Sequence, residues 1–102
     1  MIKIPIKDMK NYTGRYVKFV GLVFGIEDGD DIQFITMRDN TGDVLLYNRK
    51  IDYYQHLIDT ISSISENDYI EVIGKVLNDN NQMTVEISEL KPIDINEFTV
   101  DE

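Results

Sequence analysis

Residues 32–64 read IQFITMRDNTGDVLLYNRKIDYYQHLIDTISSI, and the spacing of the apolar side chains changes partway along this stretch. Apolar and polar residues alternate on both sides of the tetrapeptide DNTG at residues 39–42, which predicts two antiparallel strands over residues 32–38 and 43–49. The glycine of the tetrapeptide can supply a positive φ angle to the turn. Over residues 51–64 the apolar residues instead follow helical spacing. The stretch therefore predicts a β-hairpin followed by a helix.

Strand patterns flank this unit on both sides. Alternating apolar residues predict one strand over residues 16–26 and two more over residues 69–77 and 82–90. Three strands, a helix and two strands predict an all-β fold with one helix, the five-stranded Greek-key barrel called the OB-fold, with the helix between strands 3 and 4. Gly21 and Gly74, inside two strands, favour the tight bends of a small barrel. A generic α+β sandwich is the alternative and explains the helix position less well.

The predicted barrel occupies most of the chain as one domain. The 102 residues fit one compact domain with one modest core. We expect an N-terminal lead-in segment over residues 1–15, the OB-fold barrel over residues 16–93 and an acidic C-terminal tail over residues 94–102. Pro5 disfavours a regular helix through the lead-in, which we expect to pack on the barrel. The tail either recruits partner proteins, or is disordered or packs back on the barrel.

Charge is distributed unevenly along the sequence. The formal net charge is −9, but residues 1–50 hold 8 basic and 7 acidic residues, whereas residues 51–102 hold 2 basic and 12 acidic residues. A strongly acidic chain repels phosphate at long range, so a nucleic-acid-binding surface is expected in the near-neutral first half. Solubility alone is the other explanation for the acidic excess.

Several classes of protein are disfavoured by the residue content. The chain has no cysteine, which excludes disulfides, thiolate metal sites and cysteine nucleophiles. No apolar run approaches the roughly 18 residues that a membrane span needs, and the first ten residues do not form a signal peptide. We therefore expect a cytoplasmic protein, intracellular and not secreted, with no membrane partner.

The sequence contains no recognisable catalytic, cofactor or metal site. It has no nucleophile–base set, no phosphate-cradling glycine loop and no metal-ligand cluster. His56 has no cysteine or second histidine beside it and is expected to be a surface or packing residue. The turn at residues 27–31, EDGDD, lacks the spacing of a calcium loop and is expected to be solvated. We predict that the protein is not an enzyme and that it binds no cofactor and no metal.

Five groups of residues, spread over about three quarters of the chain, carry a more specific pattern. They are Val17-x-Phe19-x-Gly21-Leu22-Val23, Phe34-Ile35-x-Met37-x-Asp39-x-Thr41-Gly42-x-Val44, Ile51-Asp52-Tyr53-Tyr54, Asp68-x-Ile70-x-Val72-x-Gly74-x-Val76 and Val85-x-Ile87-x-x-Leu90. This pattern resembles the OB-folds of the anticodon-recognition type. That group includes the OB domains of aspartyl- and lysyl-tRNA synthetases and of bacterial DNA polymerase III alpha subunits, and archaeal replication protein A modules are related to it.

The resemblance implies a surface for single-stranded nucleic acid on the outward faces of the first three strands. The matching residues are Phe24, Phe34, Thr36, Arg38, Leu45, Tyr47 and Arg49, with Leu22 nearby. Aromatic rings stack on bases, and arginine adds charge and planar stacking. Two departures weaken the match. Family members often carry basic residues where this chain has the acidic turn at residues 27–31, and Leu45 replaces the glutamine that reads the central anticodon base in aspartyl-tRNA synthetases.

Two functions remain open at this point. The first is a stand-alone OB-fold that binds single-stranded nucleic acid, DNA more than RNA, as an accessory in DNA replication, repair or recombination. The second is an acidic protein-interaction module, either a subunit of a larger assembly or a phage- or plasmid-type inhibitor that occupies a basic nucleic-acid-binding surface. The aromatic hairpin favours the first, while the acidic turn and the net charge favour the second.

Overall fold

The computed structural model describes residues 1–52 and 54–94. Over these residues the chain forms five strands and one α-helix, together with two 3-10 helices, Ile6–Asn11 and Lys50–Asp52. The strands and the helix are β1 (Tyr16–Asp28), β2 (Ile32–Asp39), β3 (Gly42–Arg49), α1 (Gln55–Ser63), β4 (Tyr69–Asp79) and β5 (Gln82–Pro92). No helix in this part of the chain is long and apolar enough to cross a membrane.

The five strands close into a barrel in the order β1-β2-β3-β5-β4. β1 is long enough to pair with two strands. Residues 16–22 pair with β4, and residues 22–28 pair with β2. Every pair is antiparallel except β3 with β5, which run parallel and close the barrel. With α1 between β3 and β4, this arrangement confirms the predicted five-stranded Greek-key OB-fold.

The interior of the barrel is filled by alternate residues of every strand. Since successive side chains of a strand point to opposite faces, each strand gives one row to the core and one row to the outside. The inward rows are Val17, Phe19, Val23, Ile35, Met37, Val44, Leu46, Ile70, Val72, Val76, Val85 and Ile87. The predicted inward and outward faces of the strands are therefore confirmed, and the residues of the candidate site lie on the outer face.

Two glycines allow the strands to approach one another closely. Gly21 lies where β1 passes from pairing with β4 to pairing with β2, and a Cβ atom there would lie 2.5 Å from the carbonyl oxygen of Arg38. Gly74 lies beside an irregularity in the β4–β5 pairing, and a Cβ atom there would lie 2.5 Å from the carbonyl oxygen of Glu86. Any larger residue at either position would push two strands apart.

The end of the barrel where β2 begins and β3 ends is covered by α1. Leu57, Ile61 and Ile64 are buried against the core at this end. The buried amides of Gln33 and Asn48 bind each other, with Asn48 Nδ2 donating to Gln33 Oε1 at 3.0 Å. Gln33 Nε2 then donates to the carbonyl of Ile58 at 3.1 Å and to Ser62 Oγ at 3.2 Å. This network fixes α1 on the barrel and satisfies both amides, since a buried amide without a partner is costly.

The helix begins later than the sequence predicts. The expected start at Ile51 is wrong, because α1 begins at Gln55, and Ile51 and Tyr54 are 71% and 65% exposed. The cause lies in the segment before it. The backbone N–H of Lys50 donates to the carbonyl of Asp31 at 2.9 Å and ties the chain to the β1–β2 turn, so residues 50–52 form only a 3-10 turn.

The opposite end of the barrel is covered by the N-terminal segment. Ile4, Ile6 and Met9 are buried, and the 3-10 helix Ile6–Asn11 packs beside the β2–β3 turn. The backbone N–H of Ile6 donates to Asp39 Oδ2 at 2.9 Å. The backbone N–H of Lys7 donates to Thr41 Oγ1 at 3.0 Å. The start of the chain is thus bound to the hairpin that carries the candidate site.

The β2–β3 turn is held by an aspartate and not by glycine geometry. Among the described residues the positive φ angles are at Gly14, Asn67, Asn80 and Asn81, so the positive φ expected at the glycine of residues 39–42 is wrong. Instead, the carboxylate of the first turn residue accepts the backbone N–H groups of the third and fourth residues, at 2.7 Å and 3.1 Å. An aspartate that bonds its own turn in this way removes the need for a left-handed residue.

Candidate functional site

Two aromatic side chains lie opposite each other on the outer face of the barrel. Phe34 of β2 pairs directly with Tyr47 of β3, and both side chains are half-buried. Directly opposed residues of an antiparallel pair have Cβ atoms about 4.5–5.5 Å apart, which is close enough for the two rings to share one surface. The hairpin therefore presents a joint aromatic platform to the outside.

A groove of about 480 Å³ lies between this platform and the β4–β5 hairpin. One wall comes from β2 and β3 and the other from the β4–β5 hairpin. The lining residues are Ile32, Phe34, Leu45, Tyr47 and Arg49 on the first wall, and Leu77, Asn78, Asp79 and Thr84 on the second. The structure thus brings four of the seven predicted site residues together in one concave site.

The remaining three predicted residues lie on the same outer face but do not line the groove. The guanidinium carbon of Arg38 lies 4.0 Å from the centroid of the Phe24 ring, and Arg38 Nε lies 3.7 Å from an Asp43 carboxylate oxygen. Both partners of this ion pair are at least half exposed. Thr36 occupies the space over Gly25 that a Cβ atom would fill. Phe24 and Arg38 form a second flat surface, a cation–π pair next to the groove.

The groove carries opposite charges on its two sides. Arg49 lies on the β3 side, with its guanidinium carbon 5.7 Å from the centroid of the Tyr47 ring. Asp79 lies on the hairpin side, and Glu86 is the direct neighbour of Tyr47 in the parallel pairing of β3 with β5. Burial raises the pKa of the Tyr47 phenol, and the charge of Glu86 raises it further, while Arg49 acts in the opposite direction. The phenol is therefore neutral at physiological pH.

Residues of the β4–β5 hairpin are the part of the site that the sequence did not reveal. The strands over residues 69–77 and 82–90 were predicted, but alternation did not place them beside β3. That position follows from the parallel pairing in which Leu45 faces Thr84 and Tyr47 faces Glu86. Alternation predicts which residues form a strand and which face is apolar, but it does not predict which strands pair. The only sequence signal for these residues was the OB-fold prediction itself.

The groove is suited to holding a flat, partly apolar ligand. Its rings offer stacking surfaces, Leu45 and Leu77 offer apolar contacts, and Asn78, Asp79 and Thr84 offer polar groups. Within residues 1–52 and 54–94, no group of three or more His, Asp or Glu side chains could hold a metal ion. Residues 95–102, which make up most of the predicted acidic tail, lie outside the described residues.

Comparison with known proteins finds one matching family. A family model described as the OB-fold nucleic acid binding domain, of the tRNA anticodon type, matches residues 17–93. No curated protein matches the sequence. The matched residues span the barrel from the start of β1 to the end of β5, and so include both walls of the groove.

Solved structures share the same fold. The chain is similar to the asparaginyl-tRNA synthetase of Pyrococcus horikoshii, with a TM-score of 0.79 and 20% identity, over 91% of this chain and 22% of the synthetase. It is similar to a replication protein A heterotrimer bound to ssDNA, with a TM-score of 0.75 and 19% identity, over 96% of this chain and 87% of that one. It is also similar to an OBody bound to hen egg-white lysozyme, with a TM-score of 0.75 and 19% identity, over 82% of this chain and 86% of the OBody. At these identities the likeness shows a shared fold.

Proposed function

The chain belongs to the family of OB-fold nucleic acid binding domains, and from this premise we propose that it binds single-stranded nucleic acid in the groove beside β3. We propose further that single-stranded DNA is preferred over RNA and that the protein serves as an accessory in DNA replication, repair or recombination. In this role it acts by binding and not by catalysis.

The paired rings of Phe34 and Tyr47 in the groove carry the proposal. Their cross-strand pairing holds two π surfaces side by side, next to an exposed arginine. Stacking of one base on one aromatic side chain contributes about 1–3 kcal/mol and tolerates every base. Two such contacts contribute about 2–6 kcal/mol of the roughly 8 kcal/mol that micromolar affinity requires, and on this proposal Arg49 and the apolar side chains of the groove supply the remainder.

The preference for DNA is supported by one structural neighbour. The replication protein A chain that this barrel resembles belongs to a heterotrimer bound to ssDNA, and the match covers 96% of this chain. The strong acidity of the chain limits long-range attraction of phosphate. Binding on this proposal therefore depends on contacts with bases more than on contacts with the backbone.

The proposal is tested by fluorescence anisotropy of labelled single strands of mixed sequence, one of DNA and one of RNA, at about 20 mM and about 200 mM salt. We expect micromolar or tighter binding of DNA by the wild type. Phe34→Ala and Tyr47→Ala should each weaken it by roughly 5- to 150-fold, the loss of one stacked base. Tyr16→Ala is the matched control, because Tyr16 is 55% exposed on β1 and does not line the groove.

Two outcomes would count against binding in this groove, and a third would count against the preference for DNA. Absence of binding at low salt by a folded protein would exclude single-stranded nucleic acid as the ligand. Equal losses in Phe34→Ala and Tyr16→Ala would show that binding takes place elsewhere on the barrel. Tighter binding of RNA than of DNA would overturn the proposed preference for DNA and leave binding of single strands in place.

A second candidate function is a protein-interaction module, and the net charge of −9 favours it. Carboxylates at Asp79 and Glu86 stand beside the groove, and four more lie in the turn at residues 27–31. The OBody neighbour is bound to a protein, lysozyme. A barrel with this function would bind no oligonucleotide at any salt concentration, yet would hold a basic protein surface in a complex that weakens as salt is added.

A further inference from the structure

The two walls of the groove differ in what they offer to a bound base. The β2–β3 wall contributes rings, apolar side chains and one arginine, whereas the hairpin wall contributes Asn78, Asp79 and Thr84. Asn78 and Thr84 can both donate and accept hydrogen bonds, but an ionised aspartate can only accept them. The hairpin wall therefore has an excess of acceptors, and this excess is localised at Asp79.

Strand alternation places Asp79 on the outer face of β4. On β4 the core residues are Ile70, Val72 and Val76, so the alternate positions Leu77 and Asp79 face outward. Asp79 lines the same groove as Tyr47, and its charge acts on the Tyr47 phenol. A base stacked on the platform would therefore share the groove with this carboxylate.

Tyr47 adds a second acceptor to the groove. Glu86 lies next to Tyr47 across the β3–β5 pair, and its charge helps to raise the pKa of the Tyr47 phenol. A carboxylate only accepts hydrogen bonds, whereas the Tyr47 hydroxyl group can also accept one from a ligand. The polar groups beside the stacking surface can therefore accept hydrogen bonds from donors on the ligand.

Bases differ sharply in the donors that they present. Cytosine, adenine and guanine each carry an exocyclic amino group, whereas thymine and uracil carry none and have carbonyl oxygens on both sides of their ring N3–H group. Asp and Glu side chains accept well from the cytosine amino group. A carbonyl oxygen at the same place would face a carboxylate, and two acceptors without a proton between them repel each other.

Resting on the proposed function, we propose that this groove prefers single strands whose bases present an exocyclic amino group, namely cytosine, adenine and guanine, over thymine and uracil. Asp79 is the residue that determines this preference. Stacking on Phe34 and Tyr47 holds the base without discrimination, and the carboxylate then favours the bases that can donate to it.

The test compares oligo-deoxycytidine with oligo-deoxyuridine of about 12 nucleotides, within the roughly 4–16 nucleotides that one OB-fold covers. Cytosine carries an amino group beside an unprotonated ring nitrogen, whereas uracil carries a carbonyl oxygen beside a ring N–H group. Neither base has the methyl group of thymine, so the comparison is confined to this difference. We expect the wild type to bind the cytidine strand about ten-fold more tightly, within the range for one well-placed contact to a base edge. In Asp79→Asn the ratio should fall close to one, because an amide both donates and accepts.

A matched variant separates this effect from the general loss of a negative charge. Asp59→Asn makes the same change on the exposed face of α1, outside the groove. It should leave the ratio of the two affinities at its wild-type value even if both affinities rise. A shift of the ratio in Asp79→Asn alone supports the assignment.

Two results would overturn this inference without affecting the proposed function. They are equal binding of the two strands by the wild type, and an unchanged ratio of the two affinities in Asp79→Asn. Both leave the proposed function intact, because the strands still bind. If neither strand binds the folded wild type, the proposed function fails and the inference fails with it. The two failures are therefore distinguishable in one titration series.

Discussion

Asp39 joins three parts of the molecule through one carboxylate. Its Oδ1 atom accepts from the backbone N–H groups of Thr41 and Gly42 and from the Thr41 hydroxyl, and its Oδ2 atom accepts from the backbone N–H of Ile6 at 2.9 Å. These bonds close the β2–β3 turn and bind the N-terminal segment to it. The β2–β3 hairpin that carries Phe34 and Tyr47 therefore depends on a residue that does not line the groove.

We predict that Asp39→Ala lowers the free energy of unfolding by about 2–3 kcal/mol, since each of several hydrogen bonds contributes about 0.5–1.5 kcal/mol. Urea denaturation measures this change. Asp43→Ala is the control, because its ion pair with Arg38 is exposed and should contribute less than about 1 kcal/mol. Equal losses in the two variants would contradict the role assigned to Asp39.

Asp28 connects the β1–β2 turn to Lys50, which precedes α1, and to Ser62 within α1. Lys50 Nζ lies 2.9 Å from Asp28 Oδ1, and Ser62 Oγ donates to Asp28 Oδ2 at 2.7 Å. Hydrogen bonding by Lys50, and secondarily by Ser62, lowers the pKa of the Asp28 carboxyl below its ordinary value. The turn thus lies against the helix even though it is rich in acidic residues.

This lowered pKa predicts a pH dependence of stability. Because the folded-state pKa lies below the unfolded value of about 3.9, the contribution is complete above that value and is lost as the pH falls through the folded pKa. We expect Lys50→Met and Asp28→Asn to lose less stability than the wild type as the pH is lowered below about 4. Thermal unfolding, followed by circular dichroism at a series of acidic pH values, measures how much stability each protein loses. Parallel curves for wild type and both variants would refute the interaction.

Alternation alone predicted the strands and their faces, whereas the pairing of the strands followed only from the predicted OB-fold. Period-two alternation identified all five strands, because each has one row in the core and one outside. The predicted start of α1 was wrong. Ile51 and Tyr54 match helical spacing, but the backbone hydrogen bond between Lys50 and Asp31 keeps them outside the helix and exposed. The Gln33–Asn48 network was missed, since two polar residues in strand patterns carry no signal of burial.

The residues of the candidate site on β2 and β3 were predictable from the sequence, but Asp79 on the β4–β5 hairpin was not. Phe34, Leu45, Tyr47 and Arg49 follow from strand alternation and from the family resemblance, and the structure brings them into one groove. Asp79 could not be identified, because its place beside Tyr47 depends on the parallel closure of β3 on β5. Contacts between residues far apart in the chain are set by barrel topology, which local patterns do not encode.

The close approach of β1 and β2 at Gly21 predicts a large penalty for any side chain there. A Cβ atom would lie 2.5 Å from the Arg38 carbonyl oxygen and 2.6 Å from Met37 Cε. We expect Gly21→Ala to cost about 2–3 kcal/mol of unfolding free energy, at the upper end for overpacking, because one obstacle is backbone. Urea denaturation again provides the measurement.

Gly42→Ala is the matched control for this substitution. Its φ angle is not positive, and a Cβ atom would make an ordinary contact of 3.5 Å with Ile6 Cγ2. We expect a change within about 1 kcal/mol of wild type, on the stabilising side, because alanine restricts the unfolded chain. If the two alanine variants were equally destabilised, the close approach at Gly21 would not be the cause.

At the scale of the whole molecule, the charge of the chain limits how it can hold a polyanion. With a net charge of −9, attraction of phosphate is confined to a few cations, here Arg38 and Arg49 near the groove. We predict that the logarithm of the binding constant falls with the logarithm of salt concentration with a slope of only about −1 to −2, as for two phosphate contacts to a single strand. A slope steeper than about −4 would require a basic surface elsewhere.

Binding of single-stranded nucleic acid in the groove between the β2–β3 platform and the β4–β5 hairpin can be mapped residue by residue. The measurement is a titration of isotope-labelled protein with a mixed-sequence DNA strand, followed through the backbone amide chemical shifts in NMR spectra. We expect the largest shifts in β2, β3 and the hairpin, including Phe34, Tyr47 and Asp79, and no shifts on the exposed face of α1. Shifts confined to α1 or to the N-terminal 3-10 helix, or no shifts at all, would show that the groove does not bind the strand.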